Sequence, residues 1–356
     1  MQVYFDVREL YYIPQLAPIC SELTAVGAQC CFLLYDQESL DKFHSVVGLE
    51  CSVYYVDSVE SAISHYQAEK PDWVVFGNTI NSIERMHEFS KTALLSDGIG
   101  PKPCYYTVSD VKPSVRFVEG PYRTQRLQEL YPEQTFIDTG YAKLDPIIKG
   151  EYNHLKPSDY GLDNAKKTLL YAPSFFPSSI ECLSKNFPKD FSEYNIILKP
   201  HYFSLVSKKY KKQRVLLEYW NRYENVYLAY ESEVNIAPFM AISDVLISDA
   251  SSTLFEFSAL DKPVVWCDFY KLRLGYRGIF KFRFKERMDQ DLYKYADIAV
   301  HAESYRDLKK CVDSQVQEPS EKAQERIKYT EALAGKVDGK VSERIAQYIV
   351  NVGSKT

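Results

Sequence analysis

The segment Ser243-Asp-Val-Leu-Ile-Ser-Asp-Ala-Ser-Ser-Thr-Leu-Phe-Glu-Phe-Ser-Ala-Leu-Asp-Lys-Pro-Val-Val-Trp266 carries the pattern strand, polar turn, helix, strand. The apolar, β-branched run at 245–247 predicts a buried strand, and residues 248–253 supply a polar turn. Residues 254–260 predict a helix, which the following Lys-Pro pair stops, and the apolar residues 264–266 predict the next strand. Continuous apolar strands separated by helices are typical of a parallel sheet covered on both faces.

The predicted helix begins directly after the polar turn, and a helix start suits an anion. Its unpaired N–H groups and partial positive charge favour phosphate, and the hydroxyls of Ser251, Ser252 and Thr253 would add donors. A second interpretation is purely local. Thr253 and Glu256 have the spacing of a capping box, which is common in ordinary helices. The segment taken alone leaves both interpretations open.

The same alternation of strands and helices extends over both halves of the chain. We expect strands at 3–6, 30–35, 51–56, 73–77, 92–96, 104–108, 115–118 and 135–139, and again at 168–172, 194–198, 226–229, 245–248, 264–267 and 297–300, with helices such as 13–26 and 58–69 between them. Residues 150–161 are polar and predict a linker, and the charged, amphipathic tail predicts helices. The expected domains are therefore 1–155 and 162–317, both Rossmann-like α/β domains, and a helical tail at 318–356. Their parallel sheets would face each other across a ligand-binding cleft.

Composition excludes several classes of protein. The chain has 356 residues and a net charge of −5, which argues against a nucleic-acid partner because phosphate backbones need a basic face. The eight cysteines include no CxxC pair and no regular series of spacings, and the six histidines form no HxxxH pair. Neither a disulfide framework nor a metal site is therefore expected. Dinucleotide, P-loop and nucleophile-elbow fingerprints are absent, and no cofactor is predicted. The amino terminus resembles no signal peptide and no apolar run approaches ~20 residues, so a cytoplasmic protein is expected.

Two further motifs follow predicted strands. The strand at 194–198 leads into Lys199, Pro200 and His201, which would place a cation and an imidazole at a strand tip, as in a pyrophosphate clamp. The alternative is a surface lysine and a histidine that hydrogen-bonds within a turn. The strand at 92–96 leads into Asp97-Gly-Ile-Gly-Pro-Lys102, where Asp97 could act as a general base and Gly98 and Gly100 allow tight turns near a ligand. An Asp-Gly turn without chemistry explains the same residues.

Two more segments have weaker signals. In Thr139-Gly-Tyr-Ala-Lys-Leu-Asp145, a glycine turn before a helix is the favoured interpretation of Tyr141 and Asp145. The run Lys271-Leu-Arg-Leu-Gly-Tyr-Arg-Gly-Ile-Phe-Lys-Phe-Arg-Phe-Lys-Glu-Arg287 alternates aromatic and basic residues over 280–285. It would form a strand with one apolar and one basic face, which is either an ordinary solvated surface or a docking face for an anionic polymer or membrane.

Four of these segments occur in the same order as in a known protein family. With this order the chain resembles the CDP-glycerol glycerophosphotransferases that build teichoic acids and capsule polymers. The segments are Asp97-Gly-Ile-Gly-Pro-Lys102, Thr139-Gly-Tyr-Ala-Lys-Leu-Asp145, Lys199-Pro-His201, and Ser248-Asp-Ala-Ser-Ser-Thr-Leu-Phe-Glu256 with Lys262-Pro263 after it. Tyr171-Ala-Pro-Ser174 and Tyr276-Arg-Gly278 resemble two shorter family segments. The resemblance runs from the first strand to Val300 and implies a GT-B-like architecture.

The resemblance also implies site roles. Lys199 and His201 would contact the donor pyrophosphate, and the Ser251–Thr253 helix start would bind its phosphates. Glu256 would lie near the nucleotide ribose and Arg277 near the donor. Gly98, Gly100 and Lys102 would belong to the acceptor-side loop, with Asp97 as the base. The family usually has His at that position, and a carboxyl of pKa near ~4 is a weaker base than His at neutral pH unless its pKa is raised.

The implied function is transfer of glycerol phosphate or ribitol phosphate from a CDP-alditol to a hydroxyl of a cell-surface polymer or lipid-linked acceptor. No metal is implied, because the cationic clamp and the helix start can take its role. One alternative is a GT-B glycosyltransferase or related enzyme that uses a UDP- or CMP-sugar. A non-enzyme alternative is a nucleotide-binding subunit of a polymer-assembly complex with a dead active site. A lipid-linked acceptor and the basic run at 271–287 together predict peripheral contact with the anionic inner face of the cell membrane.

Overall fold

Two parallel β-sheets organise the chain. The computed structural model describes residues 1–47, 51–81, 83–96, 98–101, 106, 111–249, 251–272, 279 and 290–353. The chain packs into two compact units, of which the first comprises Met1–Lys149 with Glu331–Thr356 and the second comprises Gly150–Thr330. The predicted α/β fold class with two parallel sheets is confirmed. The predicted domain boundaries at 1–155, 162–317 and 318–356 remain predictions.

The first sheet has seven parallel strands within the described part of the chain. In spatial order they are β3 (Ser52–Tyr55), β2 (Gln29–Leu34), β1 (Gln2–Val7), β4 (Trp73–Phe76), β5 (Lys91–Leu94), β6 (Val115–Val118) and β7 (Phe136–Asp138). Every residue of β4 and β6 is buried, as expected for strands covered on both faces; β4 is apolar throughout, whereas β6 carries the buried Arg116.

The second sheet repeats this plan in six described strands, which are also all parallel. In spatial order they are β10 (Val226–Leu228), β9 (Asn195–Leu198), β8 (Thr168–Tyr171), β11 (Val245–Ser248), β12 (Val264–Cys267) and β13 (Val300–Ala302). Counted from its own first strand, the second sheet has the order 3-2-1-4-5-6, which is the doubly wound Rossmann order, and the first sheet has the same order with a seventh strand beyond the sixth.

Helices connect successive strands. The α-helices are α1 (Ile13–Ala25), α2 (Glu38–Val46), α3 (Val59–Glu69), α4 (Pro121–Leu130), α5 (Asp145–Ile148), α6 (Phe187–Asp190), α7 (Tyr202–Val206), α8 (Lys211–Trp220), α9 (Ala237–Ile242), α10 (Thr253–Ser258), α11 (Tyr305–Gln317), α12 (Ala323–Ala334) and α13 (Val341–Val352). Short 3₁₀ segments lie at Leu10–Tyr12, Ile83–Glu88, Ala142–Leu144, Pro157–Tyr160, Ile180–Cys182, Lys208–Tyr210 and Gln290–Ile298. Within the described part of the chain, no helix is both long enough and apolar enough to cross a bilayer.

The carboxyl-terminal helix α13 belongs to the first unit, where the segment 139–145 holds it. Asp145 accepts hydrogen bonds from the backbone N–H groups of Val341 and Ser342, at 3.3 and 2.6 Å, and so caps α13 from a distant part of the chain. The carbonyl of Thr139 accepts two bonds from the Arg344 guanidinium. A Cβ at Gly140 would lie 2.9 Å from Val341, so only glycine fits there. The segment 139–145 therefore has a structural role, because it holds α13 in the first unit.

One sequence prediction needs correction, and the structure adds detail to another, the linker, which stays a prediction. The predicted strand at 297–300 is displaced, because a 3₁₀ segment occupies Gln290–Ile298 and the strand β13 starts at Val300. The predicted linker at 150–161 is structured rather than an open connection. The Tyr160 ring lies 5.0 Å from the Tyr227 ring and 5.4 Å from the Phe239 ring, centroid to centroid. This aromatic side chain packs the otherwise polar segment against the rest of the second unit. The predicted strand at 104–108 lies outside the described residues, apart from position 106.

Candidate functional site

The second sheet has its topological switch point between β8 and β11. The chain leaves β8 toward β9 on one side, and β11 continues the sheet on the other. Ligands of open α/β sheets bind outside the carboxyl ends of the strands at such a point. The segments that follow β8, β9 and β11 are therefore the candidate site, and they carry 172–179, 199–201 and 249–253.

Asp249, directly after β11, organises this site from inside. Its side chain is 0 % exposed, and it accepts three hydrogen bonds from the segment after β8. The donors are the Ser174 N–H at 2.7 Å, the Ser179 N–H at 2.9 Å and the Ser179 hydroxyl at 2.8 Å. Burial raises the pKa of the Asp249 carboxyl, and the three donors oppose that rise. The carboxylate thus fixes the segment 174–179 against the end of β11.

Lys199 and His201 follow β9, and the segment fixed by Asp249 contacts one of them. The Lys199 N–H donates to the Tyr171 carbonyl at 2.9 Å, which extends the pairing of β9 with β8 by one residue. The His201 ring lies 4.5 Å from the Phe175 ring, centroid to centroid. Phe175 in turn is held by Gln213, whose amide donates to its carbonyl at 3.0 Å. Both Lys199 and His201 are partly exposed at the strand tip, as predicted.

The geometry at His201 assigns its ring nitrogens. Nδ1 accepts the N–H of Phe203 at 3.2 Å and so caps the short helix α7. Because Nδ1 is the acceptor, the neutral ring carries its proton on Nε2. The Nδ1 contact therefore agrees with the local interpretation, in which His201 hydrogen-bonds within a turn. It leaves Nε2–H as the ring's donor.

The start of α10 brings together the three hydroxyl residues of the predicted phosphate site. Ser251 Oγ donates to Thr253 Oγ1 at 3.0 Å and accepts the Thr253 N–H at 3.3 Å. Ser252 is the N-cap and makes no side-chain capping bond, while Thr253 is the first helical residue. The capping-box interpretation is therefore wrong: Thr253 is inside the helix, and Ser251 supplies the local bond. Glu256 is buried in α10, with 1 % of its surface exposed.

Lys262, in the Lys-Pro pair after α10, has a structural role. Its ammonium donates to the carbonyls of Met240, Ala241 and Ser243, at 2.8, 3.0 and 2.9 Å, and so closes the carboxyl end of α9. Burial lowers the pKa of Lys262 to about 8. This contact fixes α9 and the residues that lead into β11.

In the first unit, part of the predicted acceptor-side loop is described. Gly98 and Gly100 lie after β5, and Gly100 has φ +115, a conformation that favours glycine. Asp97 and Lys102 lie outside the described residues, as do Arg277 and positions 273–278 and 280–289 of the basic run. Their predicted roles stay predictions. Within the described ranges, no group of three or more potential metal ligands comes together.

The first sheet also has a buried carboxylate at its switch point, between β1 and β4. Asp6, the penultimate residue of β1, accepts hydrogen bonds from the hydroxyls of Tyr66 at 2.7 Å and Tyr35 at 3.0 Å. Burial raises the pKa of Asp6 to about 6, and the two tyrosine hydroxyls oppose that rise. Sequence reasoning missed both Asp6 and Asp249. The signal available was a carboxylate at the end of a mainly apolar, buried strand, where burial without partners would be costly.

Two Rossmann-like units, with a polar site at the switch point of the second, define the class of nucleotide-binding α/β proteins to which GT-B enzymes belong. The model of the family described as CDP-Glycerol:Poly(glycerophosphate) glycerophosphotransferase matches residues 114–351, about two thirds of the chain. The chain belongs to this family. The match contains the segments 139–145, 199–201 and 248–256, and it begins after the Asp97 loop. It also continues beyond Val300, where the resemblance described from the sequence ends.

Similar proteins agree with that assignment. The chain is 29% identical over 188 residues to the teichoic acid poly(glycerol phosphate) polymerase of Bacillus spizizenii, covering 48% of this chain and 44% of that protein. It is 36% identical over 136 residues to the teichoic acid glycerol-phosphate primase of the same organism, covering 37% and 33%. A variant of the wall teichoic acid polymerase TagF soaked with CDPG has the same fold, with a TM-score of 0.68, 16% identity, and coverage of 99% of this chain and 88% of that chain. The chain spans less than half the length of either curated relative.

Proposed function

We propose that this chain transfers a glycerol-phosphate unit from CDP-glycerol to a hydroxyl of a polymer or lipid-linked acceptor. The observation that carries the proposal is the family match over residues 114–351, which includes both donor-side segments and the Asp249 network that positions them. The relative named for a poly(glycerol phosphate) product and the TagF variant soaked with CDPG favour glycerol over ribitol in the donor.

In the proposed reaction, the acceptor oxygen forms a new bond to the β-phosphorus of the donor, the one that carries glycerol. The bond from this phosphorus to the bridging oxygen of CMP breaks, and CMP leaves with that electron pair. Asp97 takes the proton of the acceptor hydroxyl and later gives it to solvent. Lys199, His201 and the hydroxyls of 251–253 stabilise negative charge on the pyrophosphate and on the departing CMP. Most of the rate enhancement then comes from positioning and electrostatics, as in phosphoryl transfer generally.

The tautomer of His201 supports its part in this scheme. With Nδ1 accepting the Phe203 N–H, the neutral ring offers Nε2–H as a hydrogen-bond donor, which suits a phosphate oxygen. The Phe175 ring limits the rotation of the imidazole, and Asp249 fixes the segment that carries Phe175. The donor would therefore meet a pre-oriented N–H rather than a mobile side chain, which is the condition for electrostatic preorganisation.

A donor panel tests the proposal directly. The purified chain is incubated with CDP-glycerol, CDP-ribitol, UDP-sugars and CMP-sugars in the presence of a glycerol-phosphate-primed acceptor. Released CMP, CDP and UDP are measured together with the phosphorus content of the acceptor. Phosphoglycerol transfer gives CMP and adds phosphorus to the acceptor. Sugar transfer gives UDP, or CMP without added phosphorus, and supports the glycosyltransferase alternative. A chain that binds CDP-glycerol and releases nothing is the non-enzyme subunit.

Two variants assign the residues. His201→Ala should lower the rate about 10²–10³-fold, as loss of an oxyanion donor does. His154→Ala, an exposed histidine of the same unit, should leave it unchanged. Asp97→Asn should lower kcat strongly while the affinity for CDP-glycerol persists, and Asp97→His should restore turnover if a base is needed there. Full kcat in Asp97→Asn would show that Asp97 only forms a turn.

The proposed acceptor also suggests where the protein works. We propose peripheral attachment to the anionic inner face of the cell membrane through the basic run at 271–287, at roughly 1 kcal/mol per basic residue near the surface. Replacing Lys281, Arg283 and Lys285 with Gln should weaken salt-sensitive flotation with anionic liposomes and preserve turnover on a soluble acceptor. Failure of the wild-type chain to bind anionic liposomes at low salt would disprove membrane attachment and leave the transferase proposal intact.

A further inference from the structure

Three charged side chains are fully buried beneath the loop that follows β5. Arg116 is on β6, Glu119 follows β6, and Arg123 is on α4, and their exposed fractions are 1 %, 1 % and 2 %. Arg123 Nη1 donates to Glu119 Oε2 at 2.7 Å. We call these three residues the arginine clamp. Two guanidiniums against one carboxylate give the clamp a net positive charge in the interior.

The clamp holds the loop at two places. The other terminal nitrogen of Arg123, Nη2, donates to the carbonyl of Gly100. Arg116 Nη2 donates to the hydroxyl of Ser96 at 3.4 Å. Ser96 and Gly100 are four positions apart in the loop after β5, so two points of this loop are tied to the same buried cluster.

Such a cluster is a poor way to gain stability. Burial lowers the pKa of Arg116 to about 10 and raises the pKa of Glu119, which shows how strongly the surroundings disfavour both charges. Well-packed apolar side chains of similar volume are commonly at least as stabilising as a buried ion pair. What apolar side chains cannot provide is a directed donor to the Gly100 carbonyl, and the planar fork of Arg123 provides one while it also holds Glu119.

We propose that the arginine clamp is a positioning device that fixes the backbone of Ser96 and Gly98–Gly100 for binding of the acceptor. This deepens the proposed function and rests on it only for the identity of the acceptor. Arg123 acts through the loop backbone and does not touch substrate. Its loss is therefore expected to raise the KM for the acceptor and lower kcat, while the affinity for the CDP-glycerol donor stays unchanged.

Arg123→Lys is the sharpest test, because a single ammonium keeps the charge but cannot reproduce the fork. Arg126→Lys is the matched control: Arg126 is on the same helix, pairs with Glu129 at the surface, and is 52 % exposed. Amide hydrogen exchange of residues 95–100 is measured in both variants, without any substrate. Loss of a charge-assisted hydrogen bond of this kind corresponds to about 10–100-fold faster exchange in Arg123→Lys. The exchange of Arg126→Lys should match that of the wild type.

Kinetics and a second variant complete the test. Arg123→Lys should lower kcat/KM for the acceptor at least about 10-fold and leave the Kd for CDP-glycerol within a factor of two, measured by calorimetry. If Arg123→Lys does not fold, Ser96→Ala replaces it: this substitution removes the hydroxyl that accepts from Arg116 and should speed loop exchange by a smaller factor. Unprotected amides at 98–100 in the wild type, or unchanged exchange and acceptor kinetics in a folded variant, would overturn the proposal. Absence of any transfer by the wild type refutes the proposed function instead, and the exchange data still decide the clamp.

Discussion

Replacing Asp249 by Asn should destabilise the second unit and reduce turnover together. In the native site, Oδ1 accepts the Ser174 N–H, and Oδ2 accepts the N–H and hydroxyl of Ser179. An amide can place its oxygen at Oδ2 and keep two of these bonds. Its NH₂ group then faces the Ser174 N–H, so two donors meet in an interior that is 0 % exposed. An unsatisfied buried donor costs about 1–3 kcal/mol, and we expect a loss of about 2 kcal/mol.

The assay is thermal unfolding by calorimetry together with CMP release. For a unit of this size, a loss of about 2 kcal/mol lowers Tm by roughly 4–8 °C. Because the segment 174–179 carries Phe175 against His201, the rate should fall as well, even at temperatures where Asp249→Asn is fully folded. Asp307→Asn is the control: this exposed carboxylate of the same unit accepts only a local bond from Ser304 among the contacts described. A variant with wild-type Tm and wild-type turnover would refute the view that Asp249 organises the site.

Three further predictions concern buried polar groups outside the catalytic scheme. Asp145→Ala removes the cap of α13 and should cost about 1–2 kcal/mol, seen as faster amide exchange over 341–352. Lys262→Met, of similar length, leaves three carbonyls without their common donor and should cost about 2 kcal/mol, seen as a lower Tm of the second unit. The pKa of Asp6 is raised from 3.8 to about 6, so its contribution to stability is fully present below pH 4 and is lost as pH rises through 6, by about 3 kcal/mol. The Tm of the wild type relative to Asp6→Asn should therefore fall between pH 4 and pH 7, and a pH-independent difference would contradict the shift.

The strands were predictable because their signal is local. The runs at 115–118, 245–248 and 264–267 match β6, β11 and β12 residue for residue, since each is a short and mainly apolar run of strand-forming residues. The start of β13 was misplaced because the apolar pattern does not change where the preceding 3₁₀ segment ends. The order of strands in each sheet follows from alternation and right-handed crossovers, which leave few topologies for parallel strands.

The polar network of the site was not predictable in the same way. Asp249 stood in the quoted segment, but its donors lie 70–75 residues earlier in the chain. The carboxylate of Asp145 finds its partners 196 and 197 residues later, in a helix that the sequence assigned to a separate tail. Periodicity reports which face of an element is buried, and it carries no information on which distant N–H group a buried carboxylate will meet. Lys199 and His201 could be placed at a strand tip from the sequence, because that position depends only on where β9 ends, which is a local property.

The two halves of the proposed reaction rest on different parts of the chain. The family match begins at residue 114, so it includes β8, β9, β11 and the groups that would hold the donor. It also includes Arg116, Glu119 and Arg123, but the loop they hold lies before it. Family membership therefore supports the proposed donor chemistry, whereas the proposed acceptor depends on a loop in which Asp97, the proposed base, stands in place of the usual His. A carboxyl has an unperturbed pKa of about 4 and an imidazole one of about 6.5, so a proposed Asp97 base would remain able to accept a proton at lower pH than a His would. Turnover limited by Asp97 should then persist at lower pH than in family members with His, and the acceptor is the variable that a search for the natural substrate should change first.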